Sequence, residues 1–175
     1  MIVNYSDKGR IFRNSMTEKG NGIYLGYYND KLGIKIGETG NDFTARWSLL
    51  SRDSRTGFRA VFCYEVGDYG ESTEIVRKVL EALIRNKVSI YAANHAKIFS
   101  FQGDSFLCSP EACDKLIEYV REQNYNWEKY FKRMEEKTFN TVCKMRELGF
   151  SFPSRRETMG YILCQVHECE TERGN

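Results

Sequence analysis

No run in this chain approaches the roughly 20 consecutive apolar residues that a membrane span requires, so no membrane partner is expected. The first residues, Met1 to Asp7, lack the basic and long apolar segments of a secretory signal, and a cytoplasmic protein is the expectation. Charge of one sign is not in excess either. The 26 basic and 24 acidic residues leave a net charge of +2, which neither demands nor rules out a polyanionic partner. No internal repeat or low-complexity segment stands out. A second cluster of metal ligands is also missing: Cys164, His167 and Cys169 lie close together, but their spacing fits no common zinc finger. Without a signal segment, the six cysteines are expected as reduced thiols rather than a disulfide framework.

What is present is enough apolar material for a folded domain: 41% of the 175 residues are hydrophobic and 29% are charged. Residues 1–20 are polar, with Ile11, Phe12 and Met16 as isolated anchors, and read as an arm or short helix. Ile23 to Tyr28 and Ile34 to Gly37 read as two strands joined by a loop containing Asn29, Asp30 and Gly33. Asn41 or Asp42 caps a helix whose apolar stripe is Phe43, Trp47 and Leu50, with Arg46 at its border. Phe58 to Val66 alternates as a third strand, with Ala60, Phe62 and Tyr64 set against Arg59, Val61 and Cys63.

Ser72 or Thr73 starts a second helix expected to run to about Asn86. Val76, Val79, Leu80, Leu83 and Ile84 lie on its apolar face, and Glu74, Lys78, Glu81 and Arg85 on the opposite one. A loop with Asn94 and His95 and a hairpin around Gly103 follow. Beyond Ser109-Pro110 the pattern is helical only: Ala112 to Glu122, Trp127 to Leu148 and Ser154 to Glu168. The expected fold class is therefore α+β, a small, mostly antiparallel sheet flanked by helices and followed by a helical C-terminal appendage. The expected divisions are an arm over 1–20, a module over 21–108 and the appendage over 109–175.

Strand alternation makes one geometric demand. If residues 30–33 form the loop, Tyr28 pairs with Lys35, and Tyr24 and Lys35 share a sheet face. A slip of one residue would separate them. Tyrosine, lysine, arginine and glutamate, in the order Tyr24, Lys35, Arg46 and Glu81, are groups with which a phosphodiester can be cut. Arg46 offers a planar fork for phosphate oxygens. Glu81 offers one hard carboxylate for Mg²⁺, with phosphate and water completing its octahedron. Glu74, on the same helix face, is the rival ligand. Arg46, Arg52, Arg55 and Arg59 fall within fourteen residues opposed only by Asp53, a locally basic stretch suited either to a phosphate backbone or to a solvated helix end.

At these residues the chain resembles the GIY-YIG nuclease superfamily. Gly22-Ile23-Tyr24 matches the first signature, and Lys35-Ile36-Gly37 stands where the family usually has Tyr-Ile-Gly. Certain restriction enzymes of the family also carry Lys-Ile-Gly. Thr39, Asn41 and Arg46 fit the following turn and helix, and Glu81 fits the helix that supplies the metal ligand. The resemblance covers about residues 21 to 108. It implies a metal-dependent endonuclease that uses Mg²⁺ or Mn²⁺ on DNA, double-stranded in preference, from a cytoplasmic or nucleoid- or nucleus-associated location. Tyr24 would be the general base, Lys35 its electrostatic partner, Arg46 the phosphate clamp and Glu81 the metal ligand, with Arg52, Arg55 and Arg59 as DNA contacts. The rival reading is a catalytically silent module that binds nucleic acid or a protein. Two features motivate it, the lysine in place of tyrosine and the absence of a titratable group in Trp47 to Ser51, where the family often has one. The appendage offers a surface for homodimerisation. Lys144 to Gly149 followed by Pro153 to Arg156 also has the outline of a helix-turn-helix.

Overall fold

The computed structural model describes residues 2–4, 21–95, 100–102, 105–122, 124–150, 160 and 162–166. Its order is β1 (Ile2–Asn4), β2 (Gly22–Tyr28), β3 (Gly33–Thr39), α1 (Phe43–Asp53), β4 (Phe58–Glu65), a 3₁₀ turn (Gly70–Ser72) and α2 (Thr73–His95). After these come β5 (Ser100–Gln102), β6 (Ser105–Leu107), α3 (Pro110–Glu122) and α4 (Asn124–Glu147). The strands form one sheet in the order β1-β4-β2-β3-β6-β5, every pair antiparallel. The α+β class and the helical C-terminal part are as the sequence predicts.

The central strand β2 is buried on both faces, and its alternation divides the core in two. Ile23, Leu25 and Tyr27 join Ile34, Ile36, Phe62 and Tyr64 beneath α2, α3 and α4. Tyr24 on the other face joins Phe43, Leu50 and Cys63, with α1 as the cover. The helices beyond residue 109 are not a separate body: Leu116, Val120, Phe131, Met134 and Val142 belong to the same core as the strands. Phe131 lies 4.9 Å, ring to ring, from Tyr64 on β4. Burying a side chain of that size contributes about 1.5–3 kcal/mol.

Several local expectations are corrected. The segment read as an arm supplies β1, which pairs with β4 along the sheet edge. Helix α2 continues through Asn94 to His95 rather than ending near Asn86. No Gly or Pro interrupts residues 87–95, and Val88 and Ala92 extend the buried stripe of Leu80 and Ile84 at four-residue intervals.

Strand β4 does not alternate strictly. Leu25 opposes Phe62 but Gly26 opposes Ala60, so Val61 is the extra residue of a β-bulge. Val61, Phe62 and Tyr64 therefore lie on one face, while Ala60 and Phe58 pack with Cys63 on the other. Gly149, at φ +87°, ends the helical run directly after Leu148, the end expected from the sequence. Phe150 is half exposed, whereas Ile162 is buried. Residues 162–166 are helical, within the span expected for the last helix. Pro153 to Arg156, Phe152, Tyr161, His167 and Cys169 lie outside the described side chains. No described helix is long and apolar enough to cross a membrane.

Candidate active site

The β2–β3 hairpin meets the register demand, though with different partners. Its loop is residues 29–32, closed by the Lys31 amide donating to the Tyr28 carbonyl at 2.7 Å, with Lys31 itself at φ +60°. Lys35 therefore opposes Gly26, and Tyr24 opposes Gly37, a shift of two residues from the Tyr28–Lys35 pairing expected. An even shift preserves facing, so Tyr24, Tyr28 and Lys35 lie on one face of the sheet.

The motif glycine Gly37 and the strand glycine Gly26 acquire a physical reason there. A Cβ on Gly37 would stand 2.3 Å from the Tyr24 hydroxyl oxygen, so the ring of Tyr24 lies directly over the Gly37 backbone. A Cβ on Gly26 would meet the Phe58 ring at 2.2 Å. Both positions must lack a side chain for the aromatic group to seat.

Helix α1 brings Arg46 to this face. Phe43 and Leu50 anchor the helix in the Tyr24 cluster, and Arg46 is placed between them. Arg46 Nε donates to the Tyr24 hydroxyl at 3.0 Å. Trp47, one residue on, meets the Tyr24 ring edge-on at 5.2 Å and stacks on Phe43 and Phe58. Trp47 thus supplies a wall rather than a titratable group. Arg46 is hydrogen-bonded to Tyr24, a contact that sequence reasoning did not name when it gave Arg46 the phosphate and Lys35 the role of electrostatic partner. The signal was present: Arg46 borders an apolar stripe that also holds Trp47, so it had to lie near whatever that stripe covers.

Helix α2 brings Glu81. The sequence places Glu81 on the solvated side of α2, but Arg77, Glu81 and Arg85 instead form a stripe against β3. Among the described residues β3 pairs with β6 only through Gly33 to Lys35, so its second half has no strand on that side. The stripe occupies this edge. Arg77 Nε donates to Glu38 at 2.9 Å and its Nη1 to Asn21 at 3.2 Å. Arg85 donates to the Ile36 carbonyl at 2.8 Å and to Glu81 Oε1 at 2.5 Å. Glu81 is thereby held between helix and strand, with its side chain about one-fifth exposed. Glu74, two turns earlier, pairs with Lys78 at 3.1 Å.

Electrostatics tie the three elements together. Burial pushes the Tyr24 phenol above its ordinary value; the Arg46 hydrogen bond and charge pull it down, while Glu81 and Tyr28 add to the rise. Tyr24 is therefore a neutral phenol at pH 7, fully buried, accepting from Arg46 and within the field of the Glu81 carboxylate.

The other basic residues separate. Arg52 lies at the C-terminal end of α1, well exposed and 3.7 Å from Asp53, and Arg55 is exposed in the loop that follows. The β4 bulge sets Arg59 opposite Tyr27, on the sheet face away from Tyr24. Without the bulge Arg59 would oppose Tyr28 and join the site. No group of three or more His, Cys, Asp or Glu side chains converges among the described residues. Compared with family models, curated proteins and solved structures, the chain matches none.

Proposed function

We propose that this chain is a metal-dependent endonuclease of the GIY-YIG type, hydrolysing DNA phosphodiesters at the Tyr24 site. The observation that carries the reading is the Arg46 hydrogen bond to the buried Tyr24 hydroxyl, with the Glu81 carboxylate near enough to act on the charge of that phenol. Three separate elements deliver them, around a glycine that leaves room for the tyrosine. Arg46 has one guanidinium edge on the Tyr24 oxygen, and its remaining N–H groups suit a non-bridging phosphate oxygen. The phenol, kept neutral by burial, has a proton to donate to a phosphate or water oxygen. Acting as general base it must first lose that proton, and Arg46 is the group that stabilises the phenolate. Lys35, on the same face, adds positive charge for the phosphodiester.

The donor chemistry fits Mg²⁺ or Mn²⁺. Glu81 is a hard carboxylate held in place by Arg85, and one such ligand is enough when phosphate and water supply the rest. When bound, the metal supplies charge stabilisation to the phosphoryl group. Arg52 and Arg55, on the α1 side of the sheet, extend the basic surface along which a DNA backbone would run.

A silent nucleic-acid- or protein-binding module is the second reading, and the full burial of Tyr24 favours it, since a reacting water must reach the phenol oxygen. Supercoiled plasmid incubated with Mg²⁺ or Mn²⁺ decides between them. Cutting by the native chain that is lost in Glu81→Ala supports the enzyme. Equal inactivity of both, with DNA binding retained, supports the silent module.

A further inference from the structure

The described cysteines, Cys63, Cys108, Cys113, Cys143 and Cys164, are free thiols. Two of them meet at the start of α3. Ser109 caps that helix: its hydroxyl accepts from the Ala112 amide at 3.2 Å and its carbonyl from the Cys113 amide at 2.9 Å. Cys108 therefore stands just before the cap and Cys113 is the fourth helical residue, the two positions whose side chains close over a helix start. An apolar pair ordinarily fills them. Here the pair is two thiols, hydrogen-bonded to each other. Cys113 is fully buried in the core shared by strands and helices, and Cys108 is half-buried against the same core. The Cys108 S–H donates to the Lys31 carbonyl at 3.8 Å, and its amide to the Leu32 carbonyl at 3.1 Å, so the β2–β3 loop fixes this end of the pair. The two sulfurs differ in acidity. The Cys113 S–H draws the Cys108 thiol below its ordinary value, against burial and the Asp30 charge. The same hydrogen bond, burial and the Cys108 and Asp114 charges push Cys113 up, with Lys31 opposing. The more accessible sulfur is thus the better source of thiolate, and the buried one keeps its proton.

We propose that Cys108 and Cys113 are a peroxide-sensitive dithiol that closes reversibly to a disulfide across the start of α3. The Cys108 thiolate attacks one oxygen of the peroxide, the O–O bond breaks, hydroxide leaves and Cys108 becomes a sulfenic acid. The Cys113 sulfur then attacks the sulfenic sulfur. The S–S bond forms, the S–O bond breaks, and the departing hydroxide takes the Cys113 proton as water. Two electrons pass from the dithiol to the peroxide, and a thiol reductant restores the pair by exchange. The disulfide has no S–H, so the Lys31 carbonyl loses that donor and the change reaches the β2–β3 loop. Cys113 belongs to the core on the face away from Tyr24, and the pair does not depend on the activity proposed there.

The test is brief treatment of the reduced full-length chain with stoichiometric hydrogen peroxide, then blocking with N-ethylmaleimide in denaturant, tryptic digestion and mass spectrometry. Cys108 and Cys113 fall in one tryptic peptide, residues 98–115, and Cys143, also half-buried, is the one cysteine of peptide 138–144. Peptide 98–115 is expected to be two hydrogens lighter and unalkylated while Cys143 is still alkylated. Dithiothreitol before blocking should restore both thiols. Cys113→Ser, close to the native side chain in size, should stop at the Cys108 sulfenic acid, trapped by dimedone. In Cys108→Ser the buried, protonated Cys113 should oxidise at least about tenfold more slowly. Oxidation of Cys143 before peptide 98–115 loses its thiols would overturn the proposal. So would an unslowed Cys113 in Cys108→Ser, or a folded Cys113→Ser that gives no dimedone adduct at Cys108.

Discussion

Tyr24 and Gly37 show how a three-letter motif becomes a physical constraint. The phenol ring rests on the Gly37 backbone, so the two residues are one packing unit. Gly37→Ala should force the ring aside and destabilise the chain by about 1–3 kcal/mol in urea denaturation, as overpacking does. Tyr24→Phe keeps the ring and removes only the acceptor of the Arg46 hydrogen bond. Its stability should fall by about 1 kcal/mol. Burial holds the Tyr24 phenol above its ordinary value, and burial with the Glu135 carboxylate raises Tyr64 and Tyr69 in the same way. Each of these groups holds its proton more tightly when folded than when unfolded. Their contribution to stability is therefore complete below about pH 10 and declines as pH rises through the folded values. Absorbance titration at 295 nm should show these tyrosines ionising only with alkaline unfolding, after the exposed ones; ionisation together with the exposed ones would contradict the burial argument. Tyr24, Lys35, Arg46 and Glu81 were legible because type, order and strand parity all point to them. The stripe that Arg46 borders gives only its neighbourhood; the hydrogen bond to Tyr24 was not legible, because side-chain reach between a helix and a strand leaves no periodic trace in sequence.

At the scale of elements, two devices position the site, and neither is written in hydrophobic alternation. The Val61 bulge reverses the facing of β4 at one step, bringing Phe58 onto the Tyr24 face and sending Arg59 to the other. An unbroken run of alternating residues gives no warning of such a step, and closeness in sequence alone grouped Arg59 with Arg52 and Arg55. The second device is the Arg77–Glu81–Arg85 stripe of α2. A carboxylate opposite an apolar helix face ordinarily faces water, but the bare half of β3 provides a carbonyl and Glu38 for the arginines to engage. Arg85→Ala should leave the Ile36 carbonyl without this donor and free Glu81 to move. A loss of about 1–3 kcal/mol in urea denaturation is expected. An unchanged midpoint would show that the stripe does not hold α2 to the strand.

For the whole molecule, the strand-rich and helical parts share one core. Composition suggests a boundary near residue 109 because β patterns end there, yet Phe131 packs on Phe62 and Tyr64, and Val120 lies in the same cluster. A chain ending at Leu107 should consequently lose cooperative unfolding and bind hydrophobic dyes, whereas a sharp two-state transition would show the 21–108 module to be autonomous. The helical layer covers the face away from Tyr24 and, among the described residues, α1 alone covers the other. The proposed reaction surface is thus the thin side of a three-layer molecule, and the thick side secures it. Single-turnover cleavage of plasmid DNA by the native chain and by Tyr24→Phe, with Mn²⁺ and with folding verified for both, tests the central claim most directly. The account predicts cutting by the native chain and a loss of at least about 100-fold in the variant. Equal rates for the two folded proteins would contradict it.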